Sequence, residues 1–383
     1  MLTFLTAGES HGRALVAIID GLPANLSVEP EFINHQLARR QLGAGRGGRM
    51  KIESDKVTLL SGVRDGTTIG SPIAFLVENK DWVNWQQKMD PVKADTSDIL
   101  TTPRPGHADL AGSLKTGLTD IRNILERASA RQTASLVGAG AFAKLFLKEF
   151  GVEVISQVTA IGPVKAKPKI IRAEMMAEID ASPVRTADKE AEGRMVQAIK
   201  DAQNSGDTLG GSFEVVATGV VAGLGSYATA DKRLDGRLCQ ALVGIPAVKA
   251  ASVGQILETA FMSGSAAHDE IYYDEVKGYY RKTNKAGGIE GGVSNGSDIV
   301  LNGFMKPIPT LSKPLNTVDM KTKEAAQAFK ERHDTVAVPA AAVIAEAAAA
   351  LELADAFMDK FGSDNLSDLK QNYQNYLNRT KSM

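Results

Sequence analysis

The sequence predicts an α+β, or mixed α and β, fold on three observations. Short apolar runs ending at glycine read as strands, and longer runs with apolar residues at helical spacing read as helices. The two kinds alternate without the regular strand–helix–strand rhythm of a parallel sheet. In chain order, "ALVAIIDG" (14–21) is a strand. "PEFINHQLARR" (30–40) is a helix with proline at its start. "KVTLLSGV" (56–63) and "PIAFLVEN" (72–79) are strands, and residues 109–150 form a long helical stretch broken near Thr119. "VEVISQVTAIG" and "GSFEVVATGVVAG" are strands, and "TVAVPAAAVIAEAAAALELADAFMDKF" is a late small-residue helix with at least one buried face. The segment 82–107 is long for a connection in a compact domain, and such loops are commonly functional. Residues 163–208 are more polar and helical and read as a possible insertion or small subdomain.

Composition narrows the function classes. A chain of 383 residues builds two domains or one large one. Lys plus Arg number 44 against 45 Asp plus Glu, which disfavours a basic nucleic-acid binder. The single cysteine, Cys239, cannot form an internal disulfide and suits a reducing compartment. The opening "MLTFLTAGESHG" lacks the basic and apolar regions of a secretory signal. The nearest approach to a membrane span, 337–351, carries Pro339 and Glu346. The expectation is a soluble cytoplasmic protein.

Two kinds of chemistry stand out. The first is "QLARRQLGAGRGGRMK" (36–51), with Arg39, Arg40, Arg46, Arg49 and Lys51, four glycines and no acid. Gly43, Gly45 and Gly48 match G-x-G-x-x-G, but a helix precedes them where the dinucleotide fingerprint needs a strand. Cations this dense repel one another unless an anion sits among them, and arginine forks suit carboxylate and phosphate. The reading is a site for a small substrate with several negative charges; the bland alternative is a flexible solvated loop. The second is a pair of turn histidines, His11 in "GESHG" and His107 in "RPGHAD". A lone turn histidine is more often structural, but two flanking an Arg/Gly loop suggest a site. His35 and His268 lack such a context. There is no H-E-x-x-H and no cysteine cluster, so no metal is expected.

Seven blocks in order extend the pattern: "GESHG", "LARRQLGAGRGGRM", "RPGHAD", "ERASARQTA", "GGIEGGVSNG", "MKPIPTL" and "RHDTVAVPA". Together, from residue 8 to beyond 340, they resemble the chorismate synthase family. The resemblance implies one large domain over 1–383, with helices sandwiched between antiparallel sheets, assembled as a homotetramer. It implies loss of phosphate from 5-enolpyruvylshikimate 3-phosphate by 1,4-elimination, with reduced FMN and no net redox change. That substrate has two carboxylates and a phosphate, matching the polyanion expected at the Arg/Gly loop.

The resemblance also assigns residues. His11 would protonate the departing phosphate, His107 would protonate the reduced flavin, and Asp334 would act through the flavin as base. Arg127, Ala128, Ser129, Ala247, Gly291, Lys306, Pro307, Ile308, Pro309, Thr310 and Arg332 would contact FMN. Ser10, Arg40, Arg46, Arg49 and Arg131 would bind substrate; how the arginines divide among substrate, flavin and NADP stays open. Pro246 departs from the polar residue the family often shows before Ala247. Gln132 and His333 are further departures, and neither removes a catalytic group. No reductase domain is visible, which implies a monofunctional enzyme supplied by an external flavin reductase. The rival readings are a flavin-independent phosphoester lyase and a nucleic-acid module built on "GAGRGGR".

Overall fold

A computed structural model of the chain describes residues 2–47, 53–276 and 278–383. Two antiparallel sheets form its outer layers. The first contains β1 (Thr3–Ala7), β2 (Ala14–Asp20), β3 (Val57–Leu59) and β4 (Ile73–Glu78), in the order β1-β2-β4-β3. The second contains β5 (Glu153–Ile161), β6 (Val164–Lys165), β7 (Gly211–Thr218), β8 (Val248–Val253) and β9 (Ile299–Met305), in the order β8-β9-β7-β5-β6. Inward residues of both sheets are apolar and fully covered: Leu15, Ala17, Ile19, Phe75 and Val77 on one side, Val158, Phe213, Val215 and Leu301 on the other. The alternation with exposed neighbours such as Ile18 is the period-two pattern that places one face on a core.

Among the described residues, the helices of six residues or more are α1 (Pro30–Gln41), α2 (Asp109–Thr116), α3 (Arg122–Ala128), α4 (Thr133–Lys148), α5 (Met176–Ala181), α6 (Lys189–Ser205), α7 (Leu234–Val243), α8 (Val338–Phe361) and α9 (Leu366–Lys381). α4 packs against β2 and β4, α8 packs against β5 and β7, and α4 and α8 pack on each other. The layers therefore run sheet, helix, helix, sheet, as the resemblance implied. Small residues allow it. A Cβ on Gly138 would lie 2.7 Å from the Phe75 ring, and one on Gly140 would lie 2.3 Å from Ala347 Cβ. Helix α8 is buried nearly all round, not on one face, because it has α4 on one side and β5 and β7 on the other.

Several boundaries differ from the sequence reading. The 109–150 stretch breaks near Thr119 as expected, then again at Ser129, whose extended backbone separates α3 from the turn before α4. The 163–208 region is not loose from the rest. β6 joins the second sheet, and α6 buries Ala191, Met195 and Ile199 in the main core. Asp188 caps α6 by accepting from the backbone N–H groups of Glu190 and Ala191. Polar surface residues made this region look separate although its inward stripe is apolar.

At the core, Glu346 of α8 is fully buried among cations. It accepts from Arg39 at 2.7 and 2.9 Å, from Ser156 at 2.5 Å, and from Lys144, with Arg185 at 3.5 Å. Asp180 completes the cluster by pairing with Arg39 at 2.8 Å and with Arg185. Arg39 therefore points into the core. The sequence reading had grouped it with the anion loop.

Candidate active site

The site begins at "GESHG", the connection between β1 and β2. Gly8 has φ +106, and a Cβ there would lie 2.4 Å from the Ala14 carbonyl oxygen, so the tight start of this turn needs glycine. Asn79, just after β4, staples the turn. Its amide donates to the carbonyls of Glu9 at 3.1 Å and Gly12 at 2.7 Å, while its oxygen accepts from Arg131 at 2.8 Å. Ser10 and His11 end up buried on the wall of a cavity of about 430 Å³.

Three histidines line this cavity, His11, His107 and His333, and the first two are each held at Nδ1 by a buried carboxylate. His11 Nδ1 lies 2.9 Å from Glu126, at the end of α3, and the His11 backbone N–H donates to the same carboxylate at 2.8 Å. Burial would raise the Glu126 carboxyl, but hydrogen bonds from His11 and the charges of His11 and Arg122 outweigh it and hold it below the usual range. His107 Nδ1 is bonded to Asp109, at the start of α2. Asp109 also takes Arg104 at 2.8 Å, and these contacts overcome burial and hold its carboxyl far below the ordinary value. Arg104 donates on to Thr310 at 2.9 Å.

The remaining wall combines cationic and apolar side chains. Arg40, Arg46, Arg104, Arg131, Lys306 and Arg332 line it against the acids Glu53, Glu331 and Asp334. Leu125, Ile245, Met305, Ile308 and the first turns of α8 through Ala340, Ala341 and Ile344 supply the apolar part. Asp334 is paired with Arg46 at 2.9 Å and accepts from the Gly47 N–H at 2.6 Å.

Of the residues singled out from sequence, Ser10, His11, Arg40, Arg46, His107, Ala128, Ser129, Arg131, Ala247, Lys306, Ile308, Pro309, Thr310, Arg332 and Asp334 meet at this cavity. Three do not reach its wall. The Arg127 guanidinium donates to the carbonyls of Thr6 and Gly8, Gly291 sits in a small turn between Ile289–Glu290 and Val293–Ser294, and Pro307 lies between two lining residues. Arg49 lies outside the described residues. Ala247 has φ +67, an uncommon backbone for a side chain with Cβ, and its carbonyl accepts from the Lys306 N–H at 3.0 Å.

The charge argument for the Arg/Gly loop needs correction in one respect. Its arginines are not balanced by a ligand alone. Arg39 is paired with Glu346, Arg40 with Asp55 at 3.2 Å, and Arg46 with Asp334. Arg40 also donates to Thr133 at 3.0 Å and to the Ala130 carbonyl, so it builds the wall as well as facing the cavity. Asp55 and Arg131 meet at 2.6 Å, joining the loop to the turn after α3. The sequence reading missed Glu126, Asp109, Arg104, Asp55 and Trp85. Glu126 and Asp109 adjoin the motifs "ERASA" and "HAD", which was the available signal.

Fold and site together define an α+β enzyme with a cation-lined cavity that carries two carboxylate-held histidines. The comparisons agree on its kind. A family model described as chorismate synthase matches residues 2–358. The chorismate synthase of Geobacter sulfurreducens is 52% identical over 387 residues, covering 98% of each chain. That of Alkaliphilus metalliredigens is 52% identical over 98% of this chain and 99% of its own. A crystal structure of a chorismate synthase superposes with a TM-score of 0.80 at 39% identity, covering 100% of this chain and 99% of the other. The chain belongs to the chorismate synthase family, whose members are lyases. Among the described residues no helix is long and apolar enough to cross a membrane.

Proposed function

We propose that the chain converts 5-enolpyruvylshikimate 3-phosphate to chorismate by 1,4-elimination of phosphate, with reduced FMN. The observation that carries this reading is the cavity itself, which sets six cationic side chains and two carboxylate-held histidines beside an apolar wall. The cations suit a substrate with a phosphate and two carboxylates. The apolar wall suits a flat ring system, and the residues present fit a flavin: Ala128, Ala247, Ile308, Pro309 and the start of α8 flank the slot, with Ser129, Lys306, Thr310 and Arg332 as polar partners. Reduced FMN, when bound, supplies electron density to the allylic system as the phosphate leaves.

The residues divide the remaining work. Ser10, Arg40, Arg46 and Arg131 bind the substrate's anionic groups, and Arg49 joins them by its place in the loop. His11 delivers a proton to the departing phosphate, whose oxygen takes the electron pair of the broken C3–O bond. His107 holds a proton on the side of the cavity built by Lys306, Pro309 and Thr310. Asp334, fixed by Arg46 and Gly47, accepts the proton lost from C6. One hydrogen and one phosphate leave and one new double bond forms, so no electrons are gained or lost overall. Arg127, Pro307 and Gly291 complete the flavin surroundings behind the wall. The enzyme is monofunctional and cytoplasmic, works as a homotetramer, and takes reduced flavin from a separate reductase.

Binding tests the cofactor half of this reading. Anaerobic absorbance titration should show reduced FMN bound more tightly when substrate is present, because the substrate's charges complete the arginine cluster. Equal affinity in both titrations contradicts the shared site, and substrate binding without any flavin binding favours a flavin-independent phosphoester lyase.

A further inference from the structure

We infer that Glu126 and Trp85 are positioning residues for His11, together fixing which ring nitrogen exchanges the proton and the plane in which it is presented. This rests on the proposed role of His11 as proton donor. Each residue controls a different degree of freedom.

Glu126 controls identity. Its carboxylate is 2% exposed and holds the His11 backbone N–H as well as Nδ1. Arg122, one turn earlier on α3, donates to it at 3.1 Å. A carboxylate with a guanidinium partner stays ionised and has no proton to donate. In the neutral imidazole, Nδ1 must therefore carry the hydrogen, and Nε2 is the nitrogen that takes up and gives up the working proton. A ring flip would bring a C–H against Glu126 and lose that bond.

Trp85 controls orientation. Its ring stacks on the imidazole with centroids 3.9 Å apart and planes 24° apart. Arg122 backs the indole, with its guanidinium carbon 4.9 Å from the ring centroid. Tilting the imidazole out of plane breaks the stack, whereas a flip within the plane does not. Glu126 and Trp85 are thus complementary. Arg122 touches both, so one arginine ties carboxylate and indole into a single unit. Trp85 belongs to the long 82–107 segment, which also brings Arg104 and His107 to the cavity. His107 is a built-in comparison, held at Nδ1 by Asp109, itself paired with Arg104, and not by this unit.

The test is the tautomer of His11 in protein labelled with ¹⁵N-histidine, read from long-range ¹H–¹⁵N spectra without substrate. The His11 signals are identified by their loss in His11→Gln. The parent should show the neutral His11 ring protonated at Nδ1. Glu126→Gln, which is isosteric but can donate as well as accept, should give a mixture of tautomers and leave His107 unchanged. Trp85→Leu should lower kcat by up to about 10²-fold, the scale of a misplaced reacting group, with little change in KM. Trp85→Phe, which keeps a stacking plane, should fall by less. A parent His11 protonated at Nε2, or Glu126→Gln and Trp85→Leu matching the parent in spectrum and kcat, overturns the assignment. A parent that makes no chorismate overturns the proposed function instead, and the tautomer result still decides this inference.

Discussion

His11→Ala should lower turnover by about 10²–10⁴-fold, the usual contribution of a general acid, and should leave flavin and substrate affinity close to the parent. The phosphate must leave with an electron pair, and a proton delivered to it stabilises the charge that develops. His11 is placed for this role on the cationic cavity wall, with Nδ1 bonded to Glu126 at 2.9 Å. The arginines proposed to bind the substrate's charges come from other segments, so truncating His11 leaves them in place. Glu126 keeps Arg122 and the backbone N–H of residue 11, so no bare charge is buried by the change. The loss should fall on kcat with KM nearly constant, the pattern of an interaction made chiefly in the transition state. Steady-state assays under anaerobic conditions measure both. A variant with parental kcat would make His11 a structural turn residue and "GESHG" a feature of the fold.

Glu346→Gln should destabilise the protein by about 3–5 kcal/mol, the cost of removing one partner from a buried ion cluster. Glu346 is the carboxylate that Arg39, Lys144 and Arg185 share, and it is wholly buried on α8 between the helical layers and β5. Glutamine keeps the shape but, among the described residues, leaves Asp180 as the counter-charge paired with Arg39 and Arg185. Denaturant midpoints compare parent and variant. The pH dependence has a definite sign. Burial would raise the Glu346 carboxyl, but Arg39, Lys144 and Arg185 hold it far below its ordinary 4.5. Its folded value is therefore depressed, so its contribution is complete above pH 4.5 and is lost as pH falls below that. The parent should lose stability steeply with acid, and the variant's slope there should be shallower.

Much of the site was legible because its chemistry lies in contiguous turns. "GESHG" and "RPGHAD" put their histidines on glycine-flanked connections, and both face one cavity. What was not legible is what each side chain is bonded to. Arg39 and Arg40 are neighbours in sequence, but successive helical residues point about 100° apart. One enters the core toward Glu346, and the other faces Asp55 and the site. The sequence shows a cluster of cations but not the carboxylates that neutralise it, which come from distant segments. The same limit hid Trp85, since a tryptophan in a long loop gives no sign of the imidazole it stacks on. β2, β3, β4, β5 and β7 were readable from apolar runs, α4 from the long helical stretch and α8 from its small residues, whereas β1, β6, β8 and β9 went unread. The C-terminal helix α9 went unread because it buries only Leu366 and Leu369 fully and is otherwise polar. The layered order of sheets and helices came from family resemblance, since periodicity reports which face is apolar and not what covers it.

The proposed activity is elimination of phosphate from 5-enolpyruvylshikimate 3-phosphate in this cavity with the help of reduced flavin. An anaerobic assay of the parent protein, following chorismate absorbance and phosphate release together, is its decisive test. Chorismate and phosphate should form in equal amounts with reduced FMN present, with no net flavin oxidation, and neither product should form with oxidised FMN or NADPH alone. Phosphate release at the same rate without flavin, or no chorismate from reduced FMN and substrate, would contradict it.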